Sequence, residues 1–255
     1  MISFCPYRFH FLKFCILRSV SGFFNSGTNL LAFLLEHNCH FGNVRGEALW
    51  AVPWGKHSLA DRRDVQIVRG YEEYNKTRVL PAVIVRNPFE VLESMCRNSY
   101  SVHYNQDVNS TCPHMVDHST GELVNVTVGK KKPGIDYPSV AHYWNGWHAG
   151  HVHEFQHPRL FVRLEDLTVH PRETVKAICE CAGGTVSDNF TFLLTSAKEG
   201  MDHGKESEKN GLVEAWTRLG RAIPFPSQDY EALKTHLDPE LMKLFHYTPP
   251  PRSEI

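Results

Sequence analysis

Seven consecutive apolar residues, Val79–Val85 (VLPAVIV), stand between Arg78 and Arg86. The run is too short for a buried helix and lacks the in–out alternation of a half-solvated strand. A strand with no polar side must be covered on both faces, as happens inside a parallel sheet. Pro81, near its start, is tolerable there. Arg86-Asn87-Pro88 then closes the strand and opens a helix. Asn87 is a good N-cap, Pro88 suits the first helical position, and Glu90 completes a capping-box-like pattern. Phe89, Leu92 and Cys96 give that helix its apolar stripe.

The same alternation recurs along the chain. A strand near 16–21 and a turn at Gly22–Gly27 lead into a helix over Thr28–His37, with Leu30, Leu31, Leu34 and Leu35 on its packed side. Leu160–Leu164 reads as another strand, and Pro171 to Cys181 as a helix closed by Gly183-Gly184. Residues 38–78 predict short elements. The polar stretch 101–137, with Lys130-Lys131-Lys132, predicts a long surface insertion. A helix is expected over 139–156, with Trp144, Trp147, His151 and Phe155 on one side, and two or three helices in the tail. The expected fold is α/β: one domain over 1–255, a mostly parallel central sheet with helices on both faces, and a core at 15–185. Residues 186–255 would form a C-terminal helical part that closes the site. A chain of 255 residues suits one such domain.

Charge narrows the function classes. Lys+Arg 27 against Asp+Glu 28 leave a formal net charge of −1, which argues against nucleic-acid binding by bulk charge. The 16 histidines would turn the protein cationic in a mildly acidic lumen. Seven scattered cysteines include no CxxC, and Cys179 and Cys181 would point to different faces of a helix. The expectation is therefore neither a disulfide framework nor a zinc site, with room for one or two bridges. Residues 4–24 are apolar and aromatic, but Lys13 and Arg18 interrupt them, and no small-residue cleavage site follows. The chain is expected to begin almost at its fold, with membrane attachment only through an anchor further upstream. N-x-Ser/Thr sequons at Asn75, Asn109, Asn125 and Asn189 lean toward a secretory lumen.

Strand, Gly22-Phe23-Phe24-Asn25-Ser26-Gly27-Thr28-Asn29, helix is a geometry that cradles an anion. Backbone N–H groups point at a phosphate, and the helix dipole favours negative charge there. Gly22 and Gly27 keep the G-x-x-x-x-G spacing of a P-loop. Thr28-Asn29 stands where Lys followed by Ser or Thr would be, so the lysine of an ATP or GTP hydrolase is missing.

Three pieces in order carry a resemblance: Ser26-Gly27-Thr28 after a strand, Arg86-x-Pro88 with Ser94 beyond it, and Arg163-Leu164-Glu165-Asp166-Leu167 before Pro171. Together they resemble the sulfotransferases that use 3′-phosphoadenosine 5′-phosphosulfate (PAPS), most clearly over 16–36, 79–100 and 159–184. The close at Leu237–Tyr247 also looks like that family's C-terminal helix. The resemblance implies that Ser26, Gly27, Thr28 and Asn29 hold the 5′-phosphosulfate end, and that Arg86 and Ser94 hold the 3′-phosphate. A forked guanidinium with a hydroxyl suits a phosphomonoester. Lys198, Lys205 and Lys209-Asn210-Gly211 lie where the family adds further 3′-phosphate contacts, with Lys209 as the candidate. One position departs from the family: Asn25 stands where many members carry a lysine that steadies the bridging oxygen.

Sulfuryl transfer needs a base for the acceptor proton, in-line placement and a cation for the leaving phosphate. Lys56-His57, within Trp50–Ser58, lies where family members with a histidine base place it. His57 is the expected base, Lys56 the expected substitute for the missing lysine, and Glu47 the reserve base. Arg163, Glu165 and Asp166 read as a structural group. His142, His148, His151, His153 and His157 compete as a metal constellation, with His142, His153 and His157 expected on one helical face. No HExxH supports it, and no metal is expected.

The sequence thus predicts a PAPS-dependent sulfotransferase of Golgi-lumen origin acting on a carbohydrate or glycoprotein hydroxyl, with small phenols or alcohols in the cytoplasm as second choice. The rivals are a divergent P-loop kinase or nucleotide hydrolase, and a non-catalytic sulfonucleotide- or glycan-binding protein.

Overall fold

The computed structural model describes residues 16–41, 50–105, 112–129, 134–194 and 211–252. In chain order its elements are β1 (Ile16–Gly22), α1 (Thr28–Asn38), β2 (Cys39–His40), α2 (Arg62–Val65), β3 (Val79–Val85), α3 (Pro88–Arg97), β4 (Val102–Tyr104), β5 (Val126–Val128) and β6 (Ile135–Tyr137). There follow α4 (Val140–Ala149), β7 (Leu160–Arg163), α5 (Leu164–Val169), α6 (Pro171–Cys181), β8 (Thr185–Val186), α7 (Leu212–Arg218), α8 (Ser227–His236) and α9 (Pro239–Leu244). They group into two compact units. One takes the chain up to Gly22 with 26–86 and 155–219; the other takes 23–25, 87–154 and 220 onward.

The first unit is α/β. Its principal sheet has the order β1-β3-β7 and is parallel throughout. All seven residues of β3, its middle strand, are buried, as an unbroken apolar run demands. Pro81 has no N–H to give to a ladder, and the β1–β3 register slips between Ile16↔Val79 and Ser19↔Pro81. Leu30, Leu31, Leu34 and Leu35 of α1 pack with Val20, Ala82 and Ile84 of the sheet and with Val175 and Ile178 of α6. Each such buried side chain contributes about 1.5–3 kcal/mol. A small antiparallel pair joins β2 to β8.

Disulfides hold both units. Cys39–Cys179, with Cα atoms 5.7 Å apart, ties the residue after α1 to α6. Cys96–Cys112 closes a short loop after α3, and Cys181 is disulfide-bonded as well. With Cys181, the bonded cysteines exceed the one or two bridges for which the sequence left room, which corrects the expectation against a disulfide framework. Facing different ways on α6 rules out a shared metal for Cys179 and Cys181 but not separate bridges.

The second unit contains an antiparallel sheet of order β4-β5-β6. It occupies the stretch expected to be a surface insertion, yet Val102, Met115, Val124 and Val126 are fully buried there. Asp229, in the first turn of α8, is buried too. Its Oδ1 accepts from the N–H groups of Met115 (2.7 Å) and Val116 (3.1 Å), and its Oδ2 accepts from His118 Nε2 (2.7 Å). Asn87 caps α3 by accepting from Phe89 N–H at 3.0 Å, one position earlier than a capping box requires. After α4 the chain winds into a π turn, Gly150–Glu154, and His157 lies beyond it. The shift in winding corrects the expectation that His142, His153 and His157 share a face. Among the described residues no helix is long and apolar enough to cross a membrane.

Candidate functional site

Register fixes what emerges at one edge of the parallel sheet. Gly22 pairs with Ile84, and Val85 with Arg163, so Gly22, Arg86 and Arg163 all stand at the carboxyl ends of their strands. That edge is where open α/β sheets bind ligands. Two glycines let the chain turn there. A Cβ on Gly22 would lie 2.7 Å from Ile84 Cγ2, Ser26 Oγ and Thr28 Cγ2. Gly27 has φ +91°, and its Cβ would lie 2.7 Å from Leu164 Cδ1. Left-handed backbone and absent space both require glycine.

Helix α1 starts directly from this turn. Gly27 is its N-cap, no side chain caps it, and its first turn carries no acid. Its first-turn N–H groups and the positive end of its dipole are thus turned to the loop without a built-in partner from the cap. Ser26 and Thr28 are buried beside them and Asn29 is half-buried.

The structure brings Lys56 and His57 to this loop. Residues 52–56 run beside β1: Val52 N–H donates to Val20 O (3.2 Å), and Gly22 N–H donates to Lys56 O (3.0 Å). Ser21 Oγ also donates to Lys56 O. Val52 and Trp54 anchor the segment in a buried cluster with Ala60, Val79 and Phe155. Lys56 Nζ consequently reaches α1, donating to Asn29 Oδ1 at 2.7 Å, and lies 5.1 Å from the centre of the Trp50 ring. His57 Nδ1 is 2.7 Å from Gly22 O. A carbonyl only accepts, so Nδ1 carries the hydrogen. In the neutral ring, Nε2 is then the nitrogen that can take a proton.

Arg86 is half-buried at the end of β3. Arg163 lies 3.8 Å from Glu165 and 3.9 Å from Asp166, each with about a fifth of its side chain exposed. Ser94 belongs to the second unit, on α3, and is 9 % exposed. Asn25 is also counted with the second unit. It has φ 57°, a left-handed conformation that asparagine adopts more readily than most residues, and its Nδ2 donates to Asn98 O at 3.3 Å. Lys209, Glu47 and Lys130–Lys132 lie outside the described residues. Sequence reasoning missed Trp50 as the platform beneath Lys56. The only signal was its presence in the same short aromatic segment.

Two histidines, His148 on α4 and His151 in the π turn after it, pack against tryptophan rings. His148 is fully buried and 4.2 Å from the Trp144 ring. Its Nδ1 donates to Trp144 O at 2.7 Å, and burial pushes its pKa down to about 3. His151 stacks on Trp147 at 3.9 Å. Among the described residues the one set of three with metal-ligand spacing is Cys96, Cys112 and His114, and its two sulfurs are bonded to each other. Compared with protein-family profiles, curated proteins and solved structures, the chain matches none.

Proposed function

We propose that the first unit carries the donor site of a PAPS-dependent sulfotransferase, built on a P-loop-like core. One observation carries the reading: Lys56 Nζ, bonded to Asn29 at the uncapped start of α1, supplies a cation where the loop itself has none. Ser26, Gly27, Thr28 and Asn29 would bind the 5′-phosphosulfate end through the loop and helix N–H groups. Arg86, at the same sheet edge, would take the 3′-phosphate, the role that the resemblance also gives to Ser94.

His57 Nε2 would accept the proton of the acceptor hydroxyl as the new S–O bond forms. The S–O bond to the phosphate breaks, and Lys56 offsets the charge left on that phosphate. The Gly22 carbonyl keeps His57 in the tautomer this step needs. The disulfides and sequons support a secretory, Golgi-lumen setting, and hence a carbohydrate or glycoprotein acceptor. One observation favours a second reading, a non-catalytic sulfonucleotide-binding protein: Asn25 replaces the family lysine and gives an N–H to Asn98 O.

The test is titration calorimetry with 3′-phosphoadenosine 5′-phosphate, without added metal, on the wild type and Arg86→Ala. Micromolar binding that collapses in the variant is the expected result. Binding of ATP–Mg²⁺ in its place would overturn the proposal in favour of a kinase. Turnover of labelled PAPS, lost in His57→Ala, separates an enzyme from a binding protein.

A further inference from the structure

We propose that Asn75, Asn125 and Asn189 are acceptors for N-linked glycans. Each begins an Asn-x-Thr sequence, and each asparagine is exposed in the folded chain. Cys39–Cys179 and Cys96–Cys112 are bonds that persist in oxidising compartments, which is where such glycans are attached.

The local geometry suits the chemistry at Asn75. Its Oδ1 accepts from Thr77 N–H at 3.0 Å and from Thr77 Oγ1 at 2.7 Å. Both bonds fall on the oxygen, so Nδ2, the atom that takes the sugar, lies outside them. In the transfer, Nδ2 attacks the anomeric carbon of a lipid-diphosphate-linked oligosaccharide. The new C–N bond forms as the C–O bond to the diphosphate breaks. The lipid diphosphate leaves with the electron pair, and the amide nitrogen gives its proton to a base of the transferring enzyme.

Within the first unit, placement keeps the glycans away from the loop at the start of α1, the donor loop of the proposed function. Asn75 lies just before the amino end of β3, and a seven-residue strand carries the chain roughly 20 Å from there to Arg86. Near Asn189, Thr191 N–H donates to Asn38 Oδ1 (2.6 Å) and Ser187 N–H donates to Asn38 O (2.9 Å). Asn38 ends α1, about 15 Å along that helix from Thr28. Both sequons of the first unit therefore sit at the opposite end from the loop. In the second unit, Asn125 leads into β5 with its carbonyl bonded to Asn105 N–H (3.0 Å) and its side chain exposed.

The test uses the full chain, led into the secretory pathway of a eukaryotic host by a cleavable leader. Peptide-N-glycosidase in ¹⁸O-water converts a glycosylated asparagine to labelled aspartate, which peptide mass spectrometry reads at each position. Labelled aspartate at 75, 125 and 189 is expected, with one glycan fewer in each of Thr77→Ala, Thr127→Ala and Thr191→Ala. Each site stands or falls on its own wild-type peptide, so the outcome does not depend on any variant being secreted. Unmodified asparagine at all three positions in the secreted, disulfide-bonded protein overturns the proposal.

Discussion

Two strand-to-helix junctions in this molecule begin their helices in opposite ways. At the start of α3, Asn87 accepts from Phe89 N–H, Pro88 fills the first position and Glu90 lies in the first turn. That end is complete by itself. At the start of α1, the cap is a glycine with no side chain to offer, and no acid follows. The α3 junction carries its own cap; the α1 junction has no side-chain cap and has Lys56 bonded to Asn29 in its first turn. The proposed donor site rests on this difference: a helix start without a side-chain cap, next to a cation, can receive an anion.

The largest effect that would sharpen this contrast is kinetic. His57→Ala should lower sulfuryl-transfer turnover roughly 10²–10⁴-fold and leave the affinity for 3′-phosphoadenosine 5′-phosphate within a factor of a few. An equal loss in both would make His57 part of the binding loop only.

Acid should affect the residues that lead into the α1 junction. Phe23 packs 5.6 Å from the His148 ring, and burial holds His148 neutral with a pKa of about 3. The unfolded chain protonates this group near 6.5, the folded one far lower. Stability is therefore fully present above the unfolded value and falls as pH drops below it. From pH 7 to pH 5 this one group costs about 2 kcal/mol. Burial lowers the pKa of His114, His142 and His157 in the same direction. Urea unfolding at the two pH values should show the loss, and His148→Gln should flatten it.

Removing the cap of the α3 junction tests the other half. Asn87→Ala should cost about 1 kcal/mol of stability without changing nucleotide affinity. The smallest effect is the most discriminating. Asn29→Asp puts an acid into the first turn of α1 and should stabilise the free protein by about 0.5 kcal/mol. It should also weaken nucleotide binding severalfold, because the new carboxylate competes for Lys56 and for the dipole. If affinity stayed the same or rose, α1 would not be an anion site.

Legibility in the sequence followed the range of the signal. β3 and α6 were readable to the residue, because an all-apolar run, Pro171 and Gly183-Gly184 mark their ends locally. The turn from Gly22 to Gly27 was readable for the same reason. Lys56 and His57 were reachable only by position. What brings them to the loop is a pair of backbone hydrogen bonds to β1, which no side-chain pattern announces. The sheet of β4, β5 and β6 escaped because strands of three residues are too short for alternation to register. The partner of Cys39 escaped because it lies 140 residues away.

That last bond gives the molecule a topology as well as stability. Between Cys39 and Cys179 the backbone is a closed covalent ring. The ring includes β3, α3, the antiparallel sheet, α4 and β7. One proteolytic nick anywhere in it opens the ring but releases nothing, so the protein runs as a single species until a reductant is added. Cleaved and intact forms are then told apart only after reduction, and a chain cut once inside the ring keeps both strands that bear Gly22 and Arg86 in one molecule.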